Sequence, residues 1–388
     1  FCVSYWPSAT LNLVCHPPCA RTRAYGVLLT PGTYSGLLST IQRMETVILE
    51  ASSPEQIRAA VTRACRFLNR GQIVALPTET VYGLAACAFN PVACASVFEA
   101  KQRPAFDPLI VHVLDKAMLN QVAEVPADIA DPIDRLVSEF WPGPLTLVLP
   151  KKPEVPDIVT AGLDTVAVRC SKHPVFKAVI KEIGAPIAAP SANRFGSISP
   201  TSSSAVMSEL SERIPMIIDS GACSEGMEST IVRVEASGKT KPFIHILRPG
   251  PVTVEMLKKT GKVITGEQLP PTGERHEAPG QLASHYAPRT PLQLLEKPSD
   301  FKPQDGQRYA MLSYRGQPKD GFINLHPWHE IEILSPGSGK MPEAAVRFFF
   351  ALRKLDQCGA DAIIAEPVPE RGIGLAIQDR LRRAAAKA

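Results

Sequence analysis

No apolar run in the 388-residue chain approaches the roughly 18 to 20 residues that a membrane-spanning helix requires. An excess of charge of one sign is missing as well. Lys and Arg number 42 against 38 Asp and Glu, a net of +4, too little to argue alone for a nucleic-acid or membrane-surface partner. There are no internal repeats or low-complexity tracts. The G-x-S-x-G elbow and the G-x-x-x-x-G-K-[ST] phosphate loop are absent, and no side chain stands out as a covalent nucleophile. Gly337-Ser338-Gly339-Lys340 ends like a phosphate loop, but Leu334 stands five residues before Gly339 and Met341 follows the lysine, so it reads as a surface loop. The nine cysteines are scattered and odd in number, which suits reduced, often buried thiols in a cytoplasmic protein. Cys15-His16-x-x-Cys19 has no second ligand pair, and no dedicated metal site is expected. Residues 1–43 contain no Asp, Glu or Lys. They read as an extension outside the fold, disordered or non-native, with Met44 as the functional start, in preference to an organelle transit peptide.

What is present is a globular composition, 45% hydrophobic and 21% charged, with length for two or more domains. The 37 prolines favour loops and strand stops over long helices. Ser53-Pro54-Glu55-Gln56 is a capping box with proline at the first helical position. Ile57, Val61, Ala64 and Leu68 then form one apolar face, and Gly71 ends the helix. Strands are expected at 73–76, 109–113, 145–149, 166–169, 187–189, 216–219, 229–234 and 243–247. Helices are expected near 127–140, 173–183, 201–212 and 252–259. This interleaving implies an α/β domain over 44–265, a twisted open sheet with helices. Residues 266–291, rich in Pro, Gly and charge, read as a linker or lid. A smaller α/β unit over 292–388 follows, with strands at 309–313 and 362–365 and helices at 343–357 and near 375–386. Ala345, Phe348, Leu352 and Leu355 share one face of the first of these helices.

The stretch from Ile73 to Val113 organises the rest. An apolar strand is stopped by Pro77, a hydroxyl-rich turn Thr78-Glu79-Thr80 follows, and Asn90-Pro91 starts a helix. That helix should end near Ala100 and release Lys101 and Arg103 into a loop held non-helical by Pro104 and Pro108. His112 lies in the next strand. Hydroxyls, cations and an imidazole thus fall at strand ends, where open α/β sheets bind ligands.

Pro77 to Leu84 (PTETVYGL), Lys101-x-Arg103-Pro104 and Asp107 to Val113 (DPLIVHV) resemble the YrdC-like domain of threonylcarbamoyl-AMP synthases. The resemblance continues through Asp164 to Arg169, Ala189 to Asn193, Ser197-x-Ser199-Pro200-Thr201, Glu228 to Val232 and Leu247 to Gly250. Ala278-Pro279-Gly280 and His285 to Pro288 resemble the interdomain segment of the two-domain form. Ala365-Glu366-Pro367 with Gly372-x-Gly374-Leu375-Ala376 resembles its C-terminal Rossmann-like domain. Thr46 to Ala386 is covered. Singly, His112 would read as a core histidine, Lys101 and Arg103 as solvated cations at a helix end, Arg169 as an ion-paired strand end and Ser191-Ala192-Asn193 as a turn. Their joint order favours a site.

The resemblance implies a nucleotidyltransferase that joins L-threonine, bicarbonate and ATP into threonylcarbamoyl-AMP and pyrophosphate. A partner tRNA threonylcarbamoyltransferase then modifies the adenosine beside the anticodon. It implies Lys101 and Arg103 as catalytic, and Arg103, Thr165, Ser191, Asn193, Ser199, Arg248 and Tyr286 at ATP. Thr80, His112, Arg169, Ala189 and Ser229 would hold threonine, and Mg2+ would accompany the ATP. Asp107 stands where many relatives carry Asn, and its nucleotide contact stays open. This chemistry suits the residues: cations offset a crowded triphosphate and carboxylates, and a planar Arg fork suits a carboxylate. Two other readings exist. A noncatalytic RNA-binding protein is disfavoured by near-neutral charge and missing aromatic platforms. A carbamoyl-adenylate enzyme with another acceptor is disfavoured by the lack of acylphosphatase and zinc-finger modules.

Overall fold

Ser53 opens the first helix, Pro54–Asn69: its hydroxyl accepts from the Gln56 amide while the Gln56 side chain accepts from the Ser53 amide. Ala60, Val61, Ala64, Cys65 and Leu68 are buried along one face, and Gly71 turns the chain at a φ of +73°. The structure, a computed structural model, describes residues 45–238, 241–265, 278–280, 282, 285–337 and 339–386. The extension 1–43, Met44 and most of the expected linker lie outside the described residues.

The strands in chain order are β1 (Val47–Glu50), β2 (Val74–Leu76), β3 (Gly83–Cys87), β4 (Ile110–His112), β5 (Leu145–Pro150) and β6 (Thr165–Arg169). They continue with β7 (Ile187–Ala188), β8 (Met216–Asp219), β9 (Thr230–Glu235), β10 (Phe243–Arg248) and β11 (Lys262–Ile264). All eleven join one mixed sheet in the order β1-β8-β2-β3-β7-β4-β6-β5-β9-β10-β11. The expected α/β class is what forms. Helices Pro54–Asn69, Pro91–Lys101 and Pro174–Ile183 pack on one face, where Val111, Val166 and Val168 meet Val61, Val97 and Val179 in the main core. Successive strand side chains alternate between faces. Ile110 and His112 on β4, and Ala167 and Arg169 on β6, therefore turn away from that core. On this second face Ile110 and Ala167 join Val148, Ile231, Leu247 and Ala278, a residue that follows the linker's undescribed part.

β12 (Leu292–Leu294), β13 (Tyr309–Ser313), β14 (Glu330–Ile333) and β15 (Ala362–Ala365) form a second, all-parallel sheet in the order β12-β15-β13-β14. Helices Met341–Gln357 and Gly374–Ala385 cover one of its faces. Their core also takes in Val81, Ile198 and Met227 from the large sheet's connections, side chains worth roughly 1.5 to 3 kcal/mol each when fully buried. A Cβ at Gly226 would overlap the Val346 backbone of the first helix, so the two parts meet backbone to backbone there. The two sheets belong to one compact unit. Among the described residues no helix is long and apolar enough to cross a membrane.

Candidate active site

Parallel pairing of β4 with β6 sets His112 directly beside Arg169. Antiparallel pairing of β5 sets Thr146 on the other side of Arg169, and Thr146 shares a 2.7 Å hydroxyl contact with Ser229. Arg248, at the end of β10, donates to the Ser229 carbonyl from Nε at 3.1 Å and from Nη2 at 3.0 Å, and to the Ser229 hydroxyl at 3.1 Å. Sheet register alone therefore gathers an imidazole, two guanidiniums and two hydroxyls. After β2, the Thr78 hydroxyl accepts from the Thr80 and Val81 amides at 3.0 and 3.2 Å, a local turn that aims the Thr80 hydroxyl inward.

Apart from Thr146, which backs Ser229, these groups line a cavity of about 40 Å³ on the sheet's second face. Nine of the residues implied as site residues line it: Thr80, Arg103, His112, Arg169, Ala189, Ser191, Ser229, Arg248 and Tyr286. The site thus lies over the face of the sheet, where Ile110 and His112 point, and not only at strand ends. Four do not line it. Lys101 is the last residue of its helix, not part of the following loop, and is almost fully buried. Its ammonium donates to the Ser191 and Asn193 carbonyls at 2.6 and 2.5 Å, so it braces the loop that carries Ser191. Asn193 bonds the Arg194 and Ser197 carbonyls. Ser199 donates to Glu228 at 2.5 Å. Thr165 stands at the opposite end of β6 from Arg169, roughly 13 Å away at the usual strand rise.

The cations are already held by protein partners. Arg169 donates to Glu79 at 2.6 Å, Thr80 at 2.8 Å and the Gly143 carbonyl at 3.4 Å. Those three bonds leave two of its five N–H groups for a ligand. Burial works to raise the Glu79 pKa, but Arg169 and the Ser171 hydroxyl hold it down to about 2. Arg103 pairs with Asp107 at 2.9 Å and donates to the Asp107 and Pro108 carbonyls. Asp107 thus has a place in the site's support. Replacing Arg103 by Ala breaks this buried pair and so costs stability as well as ligand contacts.

At the carboxyl end of β4, where the first turn of helix Pro174–Ile183 reaches the sheet's edge, the imidazole of His112 meets Phe176 with 4.5 Å between ring centroids. Burial first, then Arg169, pushes its pKa down to about 3, so the ring is neutral. Its Nδ1 is buried without a hydrogen-bond partner, as are His285 Nδ1 and the Tyr286 hydroxyl. Three orphaned polar atoms facing one cationic cavity are costly unless a ligand satisfies them.

Several participants carried weaker sequence signals. Glu79 and Glu228 lie inside the matched motifs, and His285 precedes Tyr286 in the linker motif. Arg380 had no signal at all. It is fully buried on the terminal helix, donates to Glu228 at 3.3 Å and to the Pro249 carbonyl at 2.7 Å, and lies 5.3 Å over the Tyr286 ring. Glu228 in turn lines the cavity. Tyr286 itself adopts a left-handed φ of +62°, a conformation that its packing must hold in place. Gly280 sits against it, where a Cβ would come 2.6 Å from the Tyr286 hydroxyl.

A large mixed sheet with a cationic cavity on its second face, docked to a small parallel sheet, is a two-part α/β architecture of the YrdC type. Residues 66–250 match the Sua5/YciO/YrdC family model described as "Telomere recombination", and residues 252–386 match "Threonylcarbamoyl-AMP synthase, C-terminal domain". The chain is 39% identical over 328 residues to the threonylcarbamoyl-AMP synthase of Pyrococcus abyssi, covering 83% of this chain and 92% of that one. It is 38% identical over 335 residues to that of Bacillus subtilis, covering 84% and 92%. A crystal structure of P. abyssi Sua5 complexed with L-threonine superposes with a TM-score of 0.72 at 34% identity, over 88% of this chain and 97% of that one. The chain belongs to the threonylcarbamoyl-AMP synthase family.

Proposed function

We propose that the chain condenses L-threonine, bicarbonate and ATP into threonylcarbamoyl-AMP, releasing pyrophosphate, in the cavity described above. The carrying observation is that three guanidiniums, two histidines and five hydroxyl side chains converge on one space. Arg169, with two spare N–H groups, takes the threonine carboxylate. Thr80, His112 and Ser229 hydrogen-bond the rest of the amino acid, and the Ala189 backbone forms part of its wall. Arg103 and Arg248 face the phosphates, with Ser191 beside them and Lys101 holding that loop. Mg2+ carried on the ATP would offset part of the phosphate charge. The threonine amine condenses with bicarbonate, a C–N bond replacing a C–O bond with loss of one water, and an oxygen of the resulting carbamate displaces pyrophosphate from the α-phosphorus. The enzyme's part is to orient the two anions and offset their repulsion.

A space of about 40 Å³ is far below the roughly 300 to 1,000 Å³ of a small-molecule site. The segment holding Pro279, Gly280, His285 and Tyr286 therefore withdraws for ATP to enter and returns to keep water from the mixed anhydride. We place the catalytic part at 44–265, the linker at 266–291 and the second α/β part at 292–388. The product is a mixed anhydride suited to a cytoplasmic tRNA threonylcarbamoyltransferase acting next. Incubation of the purified chain with 14C-bicarbonate, threonine and Mg·ATP should give a labelled, adenylate-sized product. Label appearing equally without threonine would overturn the assignment.

A further inference from the structure

A second cavity, of about 440 Å³, is built entirely from the small sheet's connections and shares no lining residue with the catalytic one. Its position follows from topology. Ala310 and Leu312 on β13, and Ile363 and Ala365 on β15, face the helices, packing with Ile377 and Leu381. Met311 and Ile364 face the other way, under Phe322, Leu325 and Trp328. The chain leaving β13 therefore covers one face of the sheet, while the chain leaving its neighbour β15 covers the opposite face. Adjacent parallel strands with diverging exits leave a crevice outside their carboxyl ends, the place where open parallel sheets bind ligands.

That crevice is where the cavity lies. Tyr314 and Arg315 follow β13 directly, and Glu366 and Pro367 follow β15. Tyr314, Phe322, Pro367 and Pro369 give it an apolar wall. Arg315 is bound to Asp320 by bonds of 2.8 and 2.9 Å. Arg371, also lining the cavity, is exposed and makes no ion pair among the described residues. The buried Glu366 carboxylate accepts from the Ser313 hydroxyl at 3.2 Å and from the Tyr314 amide. A Cβ on Gly339 would stand 2.7 Å from Arg315 Cδ, so the chain comes close at the rim.

We propose that this crevice is a second ligand site, taking a nucleoside phosphate. Arg371 receives the phosphate, the proline and aromatic wall receives the base, and the Glu366 carboxylate at the end of β15 lies beside them to accept from ribose hydroxyls. The volume falls within the range of small-molecule sites, roughly 300 to 1,000 Å³.

The test is calorimetric titration of the full-length chain with AMP and, separately, with inorganic phosphate. Two AMP sites per chain are expected. Arg371→Glu, a change on the surface whose folding is checked by its melting temperature, should weaken one of them at least tenfold and leave the other. Arg248→Ala should do the reverse. Inorganic phosphate should bind the crevice at least tenfold more weakly than AMP. AMP binding that is indifferent to Arg371→Glu would overturn the site, and phosphate binding there as tightly as AMP would overturn its nucleoside preference. An error in the catalytic assignment would remove the second AMP site and the Arg248→Ala effect, and would leave the Arg371→Glu effect on the crevice standing.

Discussion

At the scale of the residue, the site is governed by what burial does to charge. The unfolded His112 ring takes a proton near its ordinary value of 6.5, and the folded one only near 3. Between those values the unfolded state binds more protons, so stability falls as pH drops. His285, whose pKa burial and then Arg103 also lower, has the same sign. Glu79 titrates elsewhere: folded at about 2 against an ordinary 4.5, it loses its contribution only at lower pH. From pH 7 to 5 the Glu79 contribution therefore stays nearly whole while that of His112 is lost. Over that interval His112 should cost roughly 2 kcal/mol, at about 1.4 kcal/mol per pH unit. His112→Gln should shrink the stability difference between these two pH values by about that amount, read from urea denaturation. An unchanged difference would mean the ring is not held neutral. Arg169 is tested by shape. Lys cannot span Glu79, Thr80 and a carboxylate at once, so Arg169→Lys should lower kcat/KM for threonine about 10- to 100-fold, the value of one charged hydrogen bond. An equal loss in ATP affinity at saturating threonine would place Arg169 at the nucleotide instead.

At the scale of the element, the terminal helix completes a site that lies far from it in sequence. Arg380 holds Glu228 at 3.3 Å and covers the Tyr286 ring. Replacing it by Met strands a buried carboxylate, which costs about 3 to 5 kcal/mol. Adding Glu228→Gln to Arg380→Met should recover most of that loss in a double-mutant cycle. Simple additivity would show that the pair is not coupled. This contact was invisible in the sequence, since no local pattern links an arginine on one helix to a glutamate 152 residues away. Elements with strong local signals were legible. Met216–Asp219 and Ala362–Ala365 form the strands their apolar runs suggest, and the Ser53 cap starts its helix at Pro54. Gly83–Cys87 was missed because Gly-Leu-Ala-Ala-Cys has little β propensity, and it is a strand through its pairing with β2 and β7. Glu330–Ile333 was missed because its alternating acids look like a solvated turn, although Glu332 is buried beside Lys354. Lys101 was misplaced by a single helical residue. That residue decides whether the ammonium meets phosphate or the Ser191 and Asn193 carbonyls.

At the scale of the whole molecule, the small sheet and its helices are packed directly on the large sheet's connections. Its core contains Val81, Ile198 and Met227, and Arg353 reaches Glu209 at 2.9 Å and the Ile198 carbonyl at 2.7 Å. Truncation after Thr265 would expose that apolar patch and leave Glu209 and Glu228 without these arginines. The truncated chain, and Tyr286→Ala in the full chain, should both yield less threonylcarbamoyl-AMP per ATP consumed than the parent, by severalfold. Equal yields in all three would make the linker a tether. The central claim is that one cavity couples three substrates. It is tested most directly by pyrophosphate release from Mg·ATP by the purified chain, with threonine and bicarbonate omitted in turn. The account predicts release with both present and background release when either is missing. Full release from ATP without threonine would contradict it.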